Sequence, residues 1–482
     1  MSSTNADLFG SPILVSVENQ VKGLIAAAEA NIERLTTQIR DLSLRRERER
    51  SILATLRLMV VPVGKLPTEL LVEIFKLVVD ADTTLGPTSY YFDGEVRTPL
   101  RGVLCLSQVS PYWRQIVHNT PQLWTRNLFE ICVDRESKAH YLDELQTFLA
   151  RSNPLPISIA LALSAEDSSY VAAPKTIARI ITPTIHRWKS LKVELPYFRS
   201  FNDIPSERFE ALEHLSIGGF KKQTDPVVAF QFSPRLQNFT FYSEGVSKIH
   251  LLRLPWSQLV HLDLTDVSLS SAATGSLVVT LPSLERLALT FQGVATPNEI
   301  HGIEAFIAPL VLPSLKTLEL DFEDDRAAFW PTQAVTSFQG RCPNIEKITL
   351  SNSSLSSEEL LTLLRNGHAL TTLKITLCWD CINNHFWDAL QYRVSDASPL
   401  APKLKHLDFE YVAQGFEEGA MEAAIRTRWW PYASVSDGPF PPISRLGTVW
   451  VSCFGGDFEP FSEEFKAGMQ DIVDQGLDLD LS

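Results

Sequence analysis

Three rhythms of apolar and polar residues divide the chain. Over residues 17–58 the period is seven. One set of positions holds Ile25, Ile32, Ile39, Arg46 and Leu53, and the other holds Val21, Ala28, Leu35, Leu42, Glu49 and Leu56. A seam this narrow, apolar at nine of eleven positions, is the pattern of a coiled coil. Ser16 is placed to cap the helix, with Glu18 in its first turn. Arg46 and Glu49 break the seam inside RRERER, where they can set register or partner choice. The seam is open to self-association, to packing on the chain's own domain, or to another partner. Pro62 and Gly64 end the helix, leaving residues 1–15 as a disordered lead and 16–61 as the coiled-coil helix.

The second rhythm has helical spacing. Pro67 suits a first turn, and Leu70, Leu71, Ile74, Phe75 and Val78 make an apolar face. Thr98-Pro99 and Ser110-Pro111 each pair a capping side chain with a proline at the first helical position. Leu104 falls in the second helix and Trp113, Ile116 and Val117 in the third. TPQLW, residues 120–124, closes the stretch. A unit this small buries little by itself, so an apolar face left for a partner is physically sensible. A small bundle with a wholly internal core is the plain alternative.

The third rhythm is a repeat. The pattern apolar-x-x-apolar-x-apolar starts at residues 188, 212, 236, 259, 284, 315, 345, 370, 404 and 446. Ten copies indicate stacked supersecondary units. In each, the fourth and sixth residues point inward and the third, fifth and seventh outward. Residues 345–377 spell a whole unit: strand IEKITL, a capping box at Ser356 and Glu359, a leucine-rich helix, and Asn366-Gly367 at its end. The expected fold is therefore α/β: a long helix, a three-helix module, and an irregular leucine-rich-repeat-like α/β solenoid with a parallel sheet. The module spans 62–126 with an insertion at 80–98. The solenoid spans 127–460 and begins with a helix around Leu142–Leu149 and a strand at Ile157, Ile159 and Leu161. A capping helix and acidic tail fill 461–482.

Composition narrows the function. With 482 residues, several domains are expected. A net charge of −14 argues against a general nucleic-acid role. No stretch approaches a membrane span, and no signal peptide is evident. Six scattered cysteines make no disulfide framework, which fits a cytoplasmic or nuclear setting. Cys378-Trp-Asp-Cys381 with His385 lacks a fourth ligand for zinc, so neither metal nor cofactor is expected. His214, His261 and His406 fall at third repeat positions and assemble no catalytic group. No nucleotide-binding or hydrolase motif is present, and the chain is read as non-catalytic.

LPTELLVEIF followed by LSQVSPYWRQIVHNTPQLW resembles the F-box. The preceding heptad helix and following repeats resemble the arrangement common in fungal F-box proteins. The resemblance implies docking on a Skp-type adaptor and, through it, a cullin-based ubiquitin ligase. Carried over, Leu66, Pro67, Leu70, Ile74 and Phe75 would bury against the adaptor. Val109, Trp113 and Trp124 would complete that surface or hold the helices together. The insertion at 80–98 departs from the family pattern. The repeats would then hold a target protein, and the outward positions supply candidates: Tyr242, Asp263, Arg286, Glu319, Asp321 and Trp450. The mixed charges of this face favour a protein partner over a polyanion. A scaffold that never joins a ligase is the alternative, and a dimer through 17–58 would add a second binding arm.

Overall fold

The computed structural model describes residues 12–60, 62–84, 100–126, 128–132, 139–162, 175–194, 209–218, 226–242, 249, 251–265, 280–291, 303–322, 330–394, 398–430, 442–454 and 461–482. The chain divides into two compact units, Met1–Trp124 and Thr125–Ser482.

The first unit opens with helix α1, Pro12–Val60. It starts at Pro12, earlier than a cap at Ser16 would allow, because proline is well suited to a first helical turn. Its heptad seam lies open. Val21, Ile25, Ile32, Leu35, Ile39, Leu42, Leu53 and Leu56 are all exposed, Ile39 at 65%. Packing of this seam on the chain's own described residues is therefore not observed. Helices α2, Thr68–Thr84, α3, Arg101–Val109, α4, Pro111–His118, and α5, Pro121–Trp124, follow. The Ser110 side chain caps α4 by accepting from the Trp113 N–H at 3.1 Å. Thr98-Pro99 and most of the 80–98 insertion lie outside the described residues; Asp80–Thr84 continue α2.

The second unit is built on one sheet of thirteen parallel strands in strict chain order. The strands are β1, Leu128–Cys132; β2, Ile157–Ala162; β3, Trp188–Glu194; β4, His214–Gly218; β5, Asn238–Tyr242; and β6, His261–Thr265. They continue with β7, Arg286–Thr290; β8, Thr317–Asp321; β9, Lys347–Ser351; β10, Thr372–Thr376; β11, His406–Val412; β12, Thr448–Cys453; and β13, Asp478–Leu481. The ten repeat copies supply β3 to β12. Their fourth and sixth residues are buried throughout, as in Leu215 and Ile217 or Leu373 and Ile375. Ladder bonds join successive copies before each strand begins, for example Glu213 N–H to Lys189 C=O and Gln237 N–H to Glu213 C=O.

The unit read at 345–377 forms as expected. Ser356 accepts from the Glu359 N–H, Glu359 accepts from the Ser356 N–H, and the helix runs Ser357–Asn366. Gly367 follows it at φ −87°, so the helix stops without a left-handed residue. The acidic tail is corrected. After the expected helix, Glu463–Asp474, the last residues form β13 and pair with β12. Leu479 and Leu481 continue the alternation of the repeats, and the Asp478 N–H bonds to the Gly447 carbonyl.

Two arginines fasten connections between repeats. Arg428 is fully buried, and its guanidinium donates to the carbonyls of Leu390, Ala401 and Leu400. Burial pushes it down to about 10, still well above neutral pH, so the group stays charged. Arg187 does the same for the Leu155 and Leu149 carbonyls and the Ser152 hydroxyl. Arg428→Ala strands the Leu390 and Leu400 carbonyls, while the Ala401 carbonyl keeps the Leu404 N–H. The substitution is expected to destabilise the chain by about 3 kcal/mol or more, read as a lower midpoint in urea unfolding.

Candidate interaction faces

The three-helix module turns two stripes of α2 in different directions. Leu71, Phe75 and Val79 recur at every fourth residue and are fully buried. Leu70, Ile74, Leu77 and Val78 sit about a third of a turn away and remain exposed, at 51%, 40%, 68% and 43%. Pro67 is exposed and Leu66 half-buried at the start of α2. Val109, at the end of α3, is 55% exposed.

Phe75 is thus corrected from a docking residue to a core residue. Its ring lies 4.7 Å from that of Trp113, which joins α2 to α4. Trp124 lies inside the helical core. It is buried, and its indole N–H donates to the Val117 carbonyl at 2.8 Å. Trp113 is half-buried, with its indole nitrogen enclosed and without an acceptor among the described residues. Leu77 is absent from the apolar face read from the sequence. Leu77 extends the Leu70–Ile74 stripe by one more step of helical spacing, which is the signal that marks it.

On the sheet of the second unit, outward residues line up in rows across strands, and most charges are answered by neighbours. Arg286 grips Glu319 on the next strand, Nε to Oε1 at 3.0 Å and Nη2 to Oε2 at 2.6 Å. This hydrogen bonding holds the Arg286 guanidinium above its usual range. Asp263, one strand before Arg286, is pushed up by burial, partly offset by the Arg286 charge. Asp321 accepts from the Asn352 amide at 2.8 Å. Lys374 reaches Asp408 at 2.9 Å and Glu410 at 2.7 Å.

Tyr242 lies beneath the Lys192 ammonium, 5.4 Å from its ring centre. Gly218 makes room for that ring, since a Cβ there would sit 2.0 Å from Tyr242 Cε2. Trp450 is 44% exposed on the same face. Of the sheet candidates, then, Arg286 and Glu319 come together as a pair, while Tyr242 and Trp450 stand apart.

Cys378 and Cys381 are both fully buried. A hydrogen bond from Cys381 holds the Cys378 thiol below its usual range and pushes that of Cys381 up. Cys378 Sγ also accepts from the Ser353 N–H at 3.4 Å. His385 turns to Glu358 at 3.1 Å. Among the described residues no group of three or more His, Cys, Asp and Glu is arranged to hold a metal. Nor is any described helix long and apolar enough to cross a membrane.

Residues 63–130 match the family model described as F-box-like. No curated protein matches the chain. Among solved structures, the leucine-rich repeat-containing protein LegL7 from Legionella pneumophila is 12% identical. The match covers 62% of this chain and 97% of that one, with a TM-score of 0.36. A protein from Bacteroides fragilis is 13% identical over 65% of this chain and 86% of its own, with a TM-score of 0.31. The TLR13–ssRNA13 complex gives 14% identity, 67% and 49% coverage, and a TM-score of 0.34. The chain therefore joins an F-box-like domain to a leucine-rich-repeat-like solenoid; the repeat character rests on the register of its own strands.

The two stripes of α2 separate in a stability measurement. Phe75→Ala should cost about 3–5 kcal/mol in urea unfolding of the first unit. Leu70→Ala, already half in solvent, should cost less than about 1 kcal/mol.

Proposed function

We propose that the chain is the target-recognition subunit of a Skp–cullin–F-box ubiquitin ligase. It performs no chemistry itself. The F-box-like domain docks on a Skp-type adaptor, the adaptor joins a cullin, and the sheet of the repeat unit holds the protein to be modified. The observation that carries this reading is the second stripe of α2. Leu70, Ile74, Leu77 and Val78 are exposed within the segment that matches the F-box-like model, while the stripe beside them fills the core. A small module that leaves this much apolar surface in water gains by covering it. Pro67 and Leu66 at the helix start, and Val109 on α3, belong to the proposed docking face. Phe75, Trp113 and Trp124 shape it from within.

The open seam of α1 supports a further element of this reading, pairing with a second copy of the chain. Eight apolar seam residues stand exposed at heptad spacing. A second copy presents the same spacing and would cover them. A dimer would carry two target-binding sheets and gain avidity for targets with two sites.

Leu70→Glu with Ile74→Glu places two charges in the docking face and none in the core. Co-purification of the adaptor with the full chain should fall at least about thirtyfold, the loss of about 2 kcal/mol at a hot spot, with the helical circular dichroism unchanged. Undiminished recovery would leave the scaffold reading in its place. For the seam, sedimentation should show a dimer for the unmodified chain and a monomer for Ile32→Glu with Ile39→Glu. A monomer in both cases would exclude pairing through α1.

A further inference from the structure

The last three strands carry a group of side chains that the rest of the sheet answers only at Asp408, through Lys374. In register, Asp408 of β11, Trp450 of β12 and Asp480 of β13 stand side by side. One step earlier, His406, Thr448 and Asp478 do the same. All six are on the face opposite the buried Leu407, Phe409, Val449 and Val451. The two carboxylates therefore flank an indole that is 44% exposed.

Elsewhere the chain supplies its own cations to such groups. Lys192 lies over Tyr242, and the Arg445 guanidinium lies over Trp429 at 4.1 Å. Arg286 grips Glu319, and Lys374 serves both Asp408 and Glu410. Over Trp450 the described residues place no cation. Asp478 and Asp480 are exposed and have no ion-pair partner among the described residues. Of the four carboxylates Asp408, Glu410, Asp478 and Asp480, only the first two meet a lysine, Lys374, and Asp480 stands next to the exposed Trp450 without one.

We propose that Trp450, between Asp408 and Asp480, binds an arginine side chain of an extended segment of the target protein. Adjacent strands are about 4.8 Å apart, so a carboxylate begins about that far to each side of the tryptophan backbone. A guanidinium laid flat on the indole presents N–H donors around its rim, toward both carboxylates at once. A lysine ammonium has no plane to stack and fills only part of this arrangement. An apolar segment would leave the carboxylates without a partner. The inference names the target chemistry for the sheet and so rests on the reading that this sheet receives target proteins.

The probe is a fluorescein-labelled decapeptide of alternating arginine and serine, titrated with the full chain and followed by fluorescence anisotropy. Its companions carry citrulline, the neutral shape mimic, or lysine, leucine or glutamate in place of arginine. The arginine peptide should bind best, and citrulline should weaken it at least about tenfold. Trp450→Ala keeps every charge of the chain and should weaken binding of the arginine peptide at least about tenfold. Asp480→Lys, at an exposed and unpaired position, should abolish it.

Equal binding by Trp450→Ala would assign the attraction to the net negative charge of the chain and overturn the site. Equal or tighter binding of the citrulline or leucine peptide would overturn it in favour of an apolar segment. Leu70→Glu with Ile74→Glu should leave peptide binding unchanged. A chain that takes the arginine peptide but recovers no adaptor overturns the ligase reading alone; one that recovers adaptor but ignores the peptide overturns this site alone.

Discussion

Each inner strand of the repeat sheet satisfies its backbone through the strand before it and the strand after it. With thirteen parallel strands in chain order, that ladder is the constraint from which the second unit is built. A parallel strand cannot close a tight hairpin on its neighbour, so each connection must travel the length of the strand and return. The bonds made ahead of each strand, such as Lys316 N–H to Glu285 C=O and Lys405 N–H to Thr371 C=O, keep successive copies in step. Once register is set, side-chain direction follows. Fourth and sixth residues enter the core in every copy, and the third and fifth form rows that run across the sheet. The buried guanidiniums of Arg187 and Arg428 satisfy carbonyls in connections that the ladder cannot reach.

The rows explain how the charges of this surface are distributed. Arg286 with Glu319, and Lys374 with Asp408 and Glu410, are contacts between copies and exist only because neighbouring strands are in register. They leave much of the face neutralised by its own residues. Partly exposed pairs of this kind contribute little to stability, about 1 kcal/mol or less, and can be exchanged for contacts with a partner at modest cost. The end of the sheet differs because β13 brings two aspartates and no cation to an exposed tryptophan.

Much of this architecture was legible in the chain. The inward apolar residues of ten copies and the Ser356–Glu359 box announced strands and a helix by spacing alone. What was hidden has physical reasons. In β13, two leucines between aspartates resemble a solvated tail, and only the ladder bonds from Gly447 and Val451 make them a strand. Without β13, the surroundings of Trp450 could not be assembled. Leu70 and Phe75 both fit one apolar helix face; which stripe enters the core is decided by α3 and α4, and Trp113 decides it for Phe75. Arg428 carries no sequence mark of burial, because arginine is ordinarily an exposed residue.

In the first unit the same logic runs on a smaller scale. Leu71, Phe75 and Val79 are buried among helices α2 to α5, and the neighbouring stripe of α2 is left exposed. The claim that joins the two halves is that this stripe, not the sheet, meets the adaptor. Hydrogen–deuterium exchange of the full chain with and without a Skp-type adaptor tests it most directly. Slowed exchange confined to Leu66–Val78 and the Val109–Trp113 region, with the amides of β3 to β13 unchanged, is the predicted result. Protection on the sheet strands, or none on α2 when the adaptor is bound, would contradict it.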